Sequence, residues 1–413
     1  MASLISLRSI RTEPYSVDEV EEIFRPVFVR IAGGALAREQ ARTLPFDEVG
    51  WLKERRFGAL RVPVAHGGYG LDHAGTFRLL IELAAADPNV CHLFRGHFAV
   101  VEETLGDPDP SIRAAWLDRF GRGDIVGNAS TEPGEASVKQ KSTRLSRREG
   151  RWLLNGTKFY TTGSIFADWI DISASREVDD AYVAALAPRN HPGVVIHDDW
   201  DGFGQKLTGT GTGTFTDVPV EPNSIRERDG RLPYLAAALQ SVLLATLAGI
   251  ARSILADGTE QLRRRTRVFS HGNSDLARND PQLQQVIGEL AAAAFAAEAL
   301  VFATADAFGA AARAAQDPDR AVAIAAASRV EIAVNKAQVA IADIVPRAAT
   351  RLFDALGASA VRSDAALDRH WRNARVVLSH NPVLYRARTI GDHLVNDGAP
   401  DLAWSVGVST QAG

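Results

Sequence analysis

The stretch TRLSRREGRWLLNGTKFYTTGSIFADW, residues 143–169, decides the fold of this 413-residue chain. Its first part alternates apolar and polar residues on both sides of Glu149-Gly150, a pair suited to a tight turn, and so predicts a β-hairpin. Further short β-type runs follow it: DWIDISAS, AYVAALA, GVVIH and GTFTDVPV. No long helical pattern interrupts them, which favours an antiparallel β module over βαβ units.

Helical patterns flank this module on both sides. Apolar residues recur at steps of three and four from residue 16 to 120, and long Ala-rich patterns of the same period return from residue 233 onward. Ala-rich faces allow close helix packing, as in a four-helix bundle or a subunit interface, and Pro346 should kink or end one of these helices. The sequence predicts an α+β protein with an N-terminal helical domain at 1–123, a central antiparallel β-barrel-like domain at 124–230, and a C-terminal four-helix bundle with a tail at 231–413.

Composition and missing motifs exclude several classes of protein. A formal net charge of −4 gives no general attraction to nucleic acid or to anionic membranes. The single cysteine, Cys91, excludes an intramolecular disulfide, and no metal-binding motif is present. The N-terminus lacks the apolar core of a signal peptide, and no uninterrupted apolar run approaches the roughly 20 residues of a membrane span. No GxGxxG motif opens a helix after a strand, so no NAD(P)H site is expected. We therefore expect a cytoplasmic protein without a metal.

Two motifs of the β module resemble those of acyl-CoA dehydrogenases. NASTEPGEAS at 128–137 is similar to that family's segment along the flavin, and NGTKFYTTGSIFADW at 155–169 is similar to its segment with an aromatic residue and a hydroxyl after a lysine. A hydroxyl and a backbone N–H there can hydrogen-bond flavin N5 and O4, while an aromatic ring packs on the isoalloxazine. The resemblance spans almost the whole chain and implies the acyl-CoA dehydrogenase fold. The flavin contacts that it implies are Asn128, Ser130, Thr131, Tyr160, Thr162 and Gly163. Thr162 as a turn hydroxyl and Tyr160 as an ordinary sheet aromatic remain alternatives.

The catalytic base of a dehydrogenase is missing from the sequence. The run HWRNARVVLSHNP at 370–382 contains the Arg372 and Arg375 pair that resembles the dehydrogenase motif, but no glutamate follows. No Asp or Glu occurs from Arg231 to Ala256 either, where other family members carry the base. A dehydrogenase needs a base to take a carbon-bound proton while hydride leaves to flavin N5. Neither expected position offers one.

The same run resembles the flavin-dependent monooxygenases of this fold, the dibenzothiophene monooxygenase group. That resemblance places His380 and His92 at the active site and Trp200 on the pocket wall, with Thr162 the third catalytic candidate. It implies a two-component enzyme that takes reduced flavin from a separate reductase and uses O₂ through a C4a-peroxyflavin, which must be hydrogen-bonded and kept from water. Histidines that titrate near neutrality are expected to donate to the peroxide or to accept a substrate proton.

The flavin phosphate requires a cation, and the run RRRTRVFSHG offers one. Its Arg-x-aromatic spacing selects Arg267, with Arg265 second; in the family this contact often crosses a subunit boundary. Thr266 and Ser270 depart from the dehydrogenase pattern, which favours FMN over FAD. The resemblance also implies a homotetramer or dimer. Phe94 and Phe98 beside His92 hint at a small apolar or aromatic, heteroatom-containing substrate.

Three alternatives stay open. One is an acyl-CoA dehydrogenase relative with a relocated base, and another is a flavin-fold protein that binds without turnover. The third is N-hydroxylation of an amine, since the oxygenated atom could be carbon, nitrogen or sulfur.

Overall fold

The computed structural model describes residues 11–132, 142–228 and 232–403. Its helices are α1 (Val17–Ala41), α2 (Phe46–Glu54), α3 (His73–Ala86), α4 (Pro88–His92), α5 (Arg95–Leu105), α6 (Pro110–Gly121), α7 (Leu235–Arg264), α8 (Pro281–Phe302), α9 (Ala305–Ala314), α10 (Arg320–Leu356), α11 (Arg369–Ser379) and α12 (Val383–Asn396). Its strands are β1 (Val126–Ala129), β2 (Arg144–Arg148), β3 (Arg151–Lys158), β4 (Trp169–Arg176), β5 (Ala181–Pro188), β6 (Val194–Ile196), β7 (Gly213–Val220) and β8 (Ile225–Glu227).

The order helices, sheet, helices confirms the predicted fold class. A continuous apolar core joins the N-terminal helices to the C-terminal bundle, with α3 packed along α7. The sheet has its own smaller core. The predicted boundary at 230–231 lies outside the described residues, so the division into three domains stays a prediction.

The predicted hairpin is present, and the sheet around it is mixed. β2 and β3 pair antiparallel across Glu149 and Gly150, whose φ angles of 49° and 79° give the turn that matches strand twist. The strand order is β6-β7-β3-β2-β4-β5-β8, with β1 on β4. Unlike the other pairs, β1–β4 and β2–β4 are parallel. The reason is that the hairpin and the 3₁₀ turn Ser164–Phe166 carry the chain back to the start of β1 before β4 begins.

The C-terminal helices are long, and proline does not end them. α10 runs on from Pro346 to Leu356, because its packing on α7, α8 and α12 outweighs one missing hydrogen bond. By length and composition alone, Leu235–Arg264 and Pro281–Ala314 are apolar enough to cross a membrane. The apolar window of the first is 78% buried inside the fold, whereas that of the second is only 28% buried. The face of α8 and α9 therefore remains largely uncovered in a single chain.

Candidate active site

The loop between β6 and β7 and the C-terminal ends of α4 and α11 bring the two predicted histidines to one place. Asp87 caps α4 by accepting from Asn89 N, and His92 is the last residue of that short helix. Its Nδ1 lies 3.0 Å from Gln205 Oε1, and Gln205 N donates to Asn373 Oδ1 of α11 at 2.6 Å. α11 ends at His380 because Pro382 cannot continue it. The hydrogen bonds thus run from His92 to the helix that ends in His380.

Both imidazoles are neutral at physiological pH. Burial lowers the pKa of His92 to about 4, and the nearby Arg95 guanidinium holds the pKa of His380 well below 6.5. With the Gln205 oxygen facing Nδ1, the His92 proton lies on Nδ1 and the Nε2 lone pair is free to accept. His380 is exposed in the single chain, so the region around His380, Arg95 and His92, here called the cleft, is open to solvent on the His380 side. The expectation that these histidines titrate near neutrality is therefore wrong, because burial and a nearby cation disfavour their charged forms.

Arg95 is the cation beside them. It is the first residue of α5, only 9% exposed, and its Nε donates to Leu239 O of α7 at 3.2 Å. Burial lowers the pKa of Arg95 to about 10, so it remains charged at neutral pH. The next residue, Gly96, allows α5 to approach the strands, because a Cβ there would lie 3.0 Å from Asn128.

A row of threonine hydroxyls links the predicted Thr162 to this site. Thr162 Oγ1 lies 2.7 Å from Thr210 Oγ1, which lies 2.8 Å from Thr208 Oγ1, and Thr208 donates to Gln205 O at 3.0 Å. Gly163 allows the backbone next to Thr162 to lie against Leu93, since its φ is +79° and a Cβ there would lie 2.4 Å from Leu93 O. Thr162 and His92 are therefore connected through side chains that leave little room for displacement.

The remaining predicted contacts lie on the neighbouring strand ends. Asn128 is half-buried and its Nδ2 donates to Tyr160 O at 3.3 Å. Ser130 is half-buried, and Thr131 is exposed with its backbone paired to Phe159. Positions 133–137 of the NASTEPGEAS motif lie outside the described residues.

Glu132 of that motif stabilises the fold instead of facing the site. It accepts hydrogen bonds from Lys158 Nζ at 2.7 Å and from the backbone N–H groups of Ser142 and Thr143. Burial alone would raise its pKa, but these donors outweigh burial and lower it to about 2.

Tyr160 and Trp200 form an aromatic wall. Tyr160 has a left-handed backbone with φ of 59° and is 47% exposed, and its ring centroid lies 5.9 Å from that of Trp200. Trp200 Nε1 donates to Gly204 O, which holds the indole in place. An exposed aromatic pair beside buried polar groups is suited to covering a flat ligand.

Arg265 and Arg267 lie at the other end of the bundle. They line a cavity of about 570 Å³ with Arg264 and Phe269. Arg265 donates to Ala355 O at the end of α10 and to Arg267 O, so its guanidinium is occupied in closing that helix. Arg264, which lines this cavity, is 25 residues along α7 from Leu239, the residue that Arg95 contacts. This stretch of helix is about 38 Å long. The two arginines therefore cannot reach the histidines of their own chain.

Four members of the cluster were not predicted as site residues: Arg95, Gln205, Thr208 and Thr210. The available signal for Arg95 was one charge inside the apolar helical run LFRGHFAVV, and for Gln205 it was the preceding glycine, whose Cβ would lie 2.3 Å from Arg372 O.

His97, close to His92 in sequence, is structural: its Nε2 lies 2.9 Å from Gly58 O and its Nδ1 accepts from Val126 N.

Phe94 and Phe98 do not support the expectation of an apolar or aromatic substrate. Phe94 and Phe98 are 1% and 5% exposed, and their rings pack on Phe57 at 5.3 and 6.0 Å between centroids. They belong to the N-terminal core. Residue spacing could not reveal this, because the side of a helix that faces a ligand depends on tertiary packing.

Three carboxylates of the surrounding helices form ion pairs with other basic residues. Glu102 of α5 is paired with Arg61, Asp257 of α7 with Arg369 and His370, and Glu39 with Arg372. Within the ranges 11–132, 142–228 and 232–403, no carboxylate hydrogen-bonds to His92, Arg95, Thr162 or His380. The described site thus contains neutral imidazoles and a cation, with no proton-abstracting carboxylate.

The residues fit a flavin ring. Asn128 Oδ1 and Gln205 Nε2 are buried without a hydrogen-bond partner in the described part of the chain. Flavin carries N–H groups and carbonyls that can supply the missing partners, and orphaned buried polar atoms are rare in a finished fold. Asn128, Thr162 and the Tyr160–Trp200 wall would hold it.

Comparison with known proteins agrees with this geometry. Residues 127–218 match the model of the acyl-CoA dehydrogenase middle domain, and residues 241–384 match that of its C-terminal domain. A probable FMNH₂-dependent monooxygenase of Pseudomonas putida is 26% identical over 390 residues, covering 92% of this chain and 95% of the relative. A dibenzothiophene monooxygenase of Rhodococcus qingshengii is 28% identical, with 90% and 94% covered.

A solved structure shows the same fold over nearly the whole length. The crystal structure of FMN-bound TdsC from Paenibacillus sp. A11-2 superimposes with a TM-score of 0.84 at 26% identity, covering 94% of this chain and 98% of that one. Together with the two domain models, this shows that the chain belongs to the acyl-CoA dehydrogenase fold superfamily and resembles its flavin-dependent monooxygenases.

Proposed function

We propose that the protein is a two-component flavin-dependent monooxygenase that uses reduced FMN from a separate reductase and O₂ to oxygenate a small organic substrate. One observation carries the assignment: His380, with a lowered pKa, follows the arginine pair where a dehydrogenase would carry its glutamate, and the buried His92 also has a lowered pKa. The named relatives use FMNH₂ or act on dibenzothiophene, which supports FMN as the cofactor.

The overall reaction balances without a metal or a nicotinamide. One oxygen atom of O₂ enters the substrate and the other leaves as water, while the two electrons and two protons of reduced FMN are consumed. Bound reduced FMN supplies the activation of O₂. The chain has to bind the ring, exclude water and hold protons at defined atoms.

His92 and His380 are suited to the last of these tasks. A neutral His92 with its proton on Nδ1 presents Nε2 as a hydrogen-bond acceptor, and it can accept a proton only when a strong acid is generated beside it. His380, on the open wall, can donate or accept according to its tautomer. Neither brings a charge that would attract water to the cleft.

The phosphate contact is assigned to a second copy of the chain. Arg267 is separated from the histidines of its own subunit by the length of α7, so it can meet an FMN phosphate only across a subunit boundary. The largely uncovered apolar face of α8 and α9 supports assembly into a homotetramer or dimer.

The assignment is tested by reoxidation of bound reduced FMN. After anaerobic loading with reduced FMN and rapid mixing with O₂, oxidised-flavin absorbance should return slowly with the wild-type chain. His380→Ala should speed the return about 10-fold and raise H₂O₂ release, because a hydrogen-bonding group of the site is lost. His66→Ala, a surface histidine paired with Asp118, is the control and should leave both values unchanged.

Two results would contradict the proposal. The first is anaerobic bleaching of the oxidised flavin by octanoyl-CoA, which would indicate a dehydrogenase with a relocated base. The second is reoxidation as fast as that of free reduced FMN in the wild-type chain, with no FMN retained at micromolar excess.

A further inference from the structure

Arg95 differs from the other buried arginines of the described chain in having no acidic partner. Arg38, Arg226 and Arg386 are as buried, and each forms an ion pair: Arg38 with Glu48 and Asp87, Arg226 with Glu103, Arg386 with Glu331. The one hydrogen bond that Arg95 makes in the described ranges runs from Nε to the Leu239 carbonyl.

This arrangement is costly for a purely structural residue. Burying a guanidinium without an anion is unfavourable by several kcal/mol in general, which is why buried charges are paired. One carbonyl satisfies one of five N–H donors, so Nη1 and Nη2 have no partner in the described part of the fold. A cation retained at such a cost indicates a ligand that supplies the missing negative charge.

The surroundings show where that ligand would lie. The carbonyl that Arg95 contacts precedes Gln240, whose Oε1 accepts from Asn381 Nδ2 at 2.5 Å, and Asn381 follows His380. On the other side, Arg95 is three residues from His92 and adjacent to Gly96, which lies against Asn128. The guanidinium lies close enough to both histidines for its charge to lower their pKa values, most strongly that of His380.

We propose that Arg95 anchors an oxyanion group of the substrate, a carboxylate or a sulfur oxyacid, and so places the rest of the substrate between His92 and His380. A planar guanidinium can bind such a group through two parallel hydrogen bonds, with both charge and direction defined. The proposal rests on the proposed function for what happens to the substrate, but the binding of the anion does not depend on it. The substrate class is therefore a small organic anion.

Binding of small anions to the FMN-loaded chain tests this. Benzoate, acetate and methanesulfonate are titrated by calorimetry, with benzamide as the neutral analogue of benzoate. The wild type should bind at least one of these anions and should prefer benzoate to benzamide. Arg95→Met should weaken anion binding by about 30-fold or more, as expected for a lost charge-assisted pair, and leave benzamide unchanged. Arg189→Met, which removes another half-buried arginine, should change neither.

Two further measurements separate a ligand anchor from a structural residue. Since an unpaired buried charge is removed, Arg95→Met should not lower the melting temperature. Since both histidines are neutral and Arg95 stays charged, anion binding should be constant from about pH 6 to about pH 8.5. Loss of binding through pH 6.5 would assign the anion to a histidine instead.

The proposal is overturned if the wild-type chain binds none of the three anions at millimolar concentration, or if Arg95→Met retains the benzoate preference. It is also overturned if Arg95→Met weakens FMN about 10-fold while benzoate is unaffected, since the anion would then be the flavin. Anion binding that depends on Arg95 in a chain with no oxygenase chemistry would instead remove the proposed function and keep the anion site.

Discussion

At the scale of single residues, the site is defined by the partners that its polar groups have and by those that they lack. His92 is held on Nδ1 by Gln205, and Gln205 is held by Asn373 and by the hydroxyl row that begins at Thr162. Asn128 Oδ1 and the terminal nitrogens of Arg95 are left for molecules that enter the cleft. The fixed groups orient the chemistry, and the unpaired ones select what binds.

The lowered histidine pKa values predict how the coupling of FMN oxidation to substrate oxygenation depends on pH. With a pKa of about 4, His92 becomes charged only as the pH falls toward that value, and the pKa of His380 is lowered in the same direction. The ratio of H₂O₂ released to reduced FMN consumed should therefore be constant from about pH 6 to about pH 8.5. Measurement at fixed ionic strength checks this. A sigmoidal change with a midpoint near pH 6.5 would show that one of the histidines titrates freely.

At the scale of elements, short turns determine where the strand ends lie relative to the helices. The Glu149-Gly150 turn sets the register of β2 and β3, and the residue after β3, Phe159, pairs with Thr131 just after the end of β1. The hairpin could be predicted because its turn chemistry and its alternation agree within a few residues.

Two glycine substitutions separate turn conformation from helix propensity. Gly150 has a φ of +79° and free space around it, so Gly150→Ala should lower stability by about 1 kcal/mol through backbone strain alone. Gly33, exposed inside α1, also has free space, and Gly33→Ala should raise stability by about 0.5–1 kcal/mol. Shifts of the melting temperature in opposite directions are expected. Equal shifts would show that the turn does not require a left-handed residue.

The sequence predicted the site only in part, for physical reasons. Histidines on short motifs could be named, because His380 follows an arginine pair and precedes a proline that ends α11. Their charge could not, since it depends on burial and on Arg95, which reaches them from another helix. The hint that Phe94 and Phe98 gave to an apolar substrate was wrong, because both rings pack on Phe57 in the N-terminal core.

At the scale of the whole molecule, FMN binding and assembly are predicted to depend on the same helices. Phe295 on α8 is 76% exposed in the single chain, and Phe295→Asp should disrupt assembly because a carboxylate would be buried in an apolar interface. Light scattering should show smaller species, with weaker FMN binding by fluorescence quenching. Arg267→Ala should leave the assembly intact and weaken FMN about 10-fold.

The control for this pair of variants is Val178→Asp, at an exposed residue after β4 that is 66% exposed. It should change neither mass nor FMN affinity. A wild-type chain that is monomeric at micromolar concentration and still binds FMN tightly would contradict the shared site.

The span of about 38 Å along α7 from Leu239 to Arg264 has a consequence for how the enzyme behaves on dilution. One end of the helix lies beside the cleft of its own subunit, while the other leads to Arg267, which we propose contacts the FMN phosphate of a neighbouring subunit. At concentrations below the dissociation constant of the subunits, each cleft would keep its histidines but lose its hold on the cofactor, and specific activity would fall with concentration. By thermodynamic linkage, excess FMN would then hold the subunits together, so the cofactor would protect the assembly as well as the reaction.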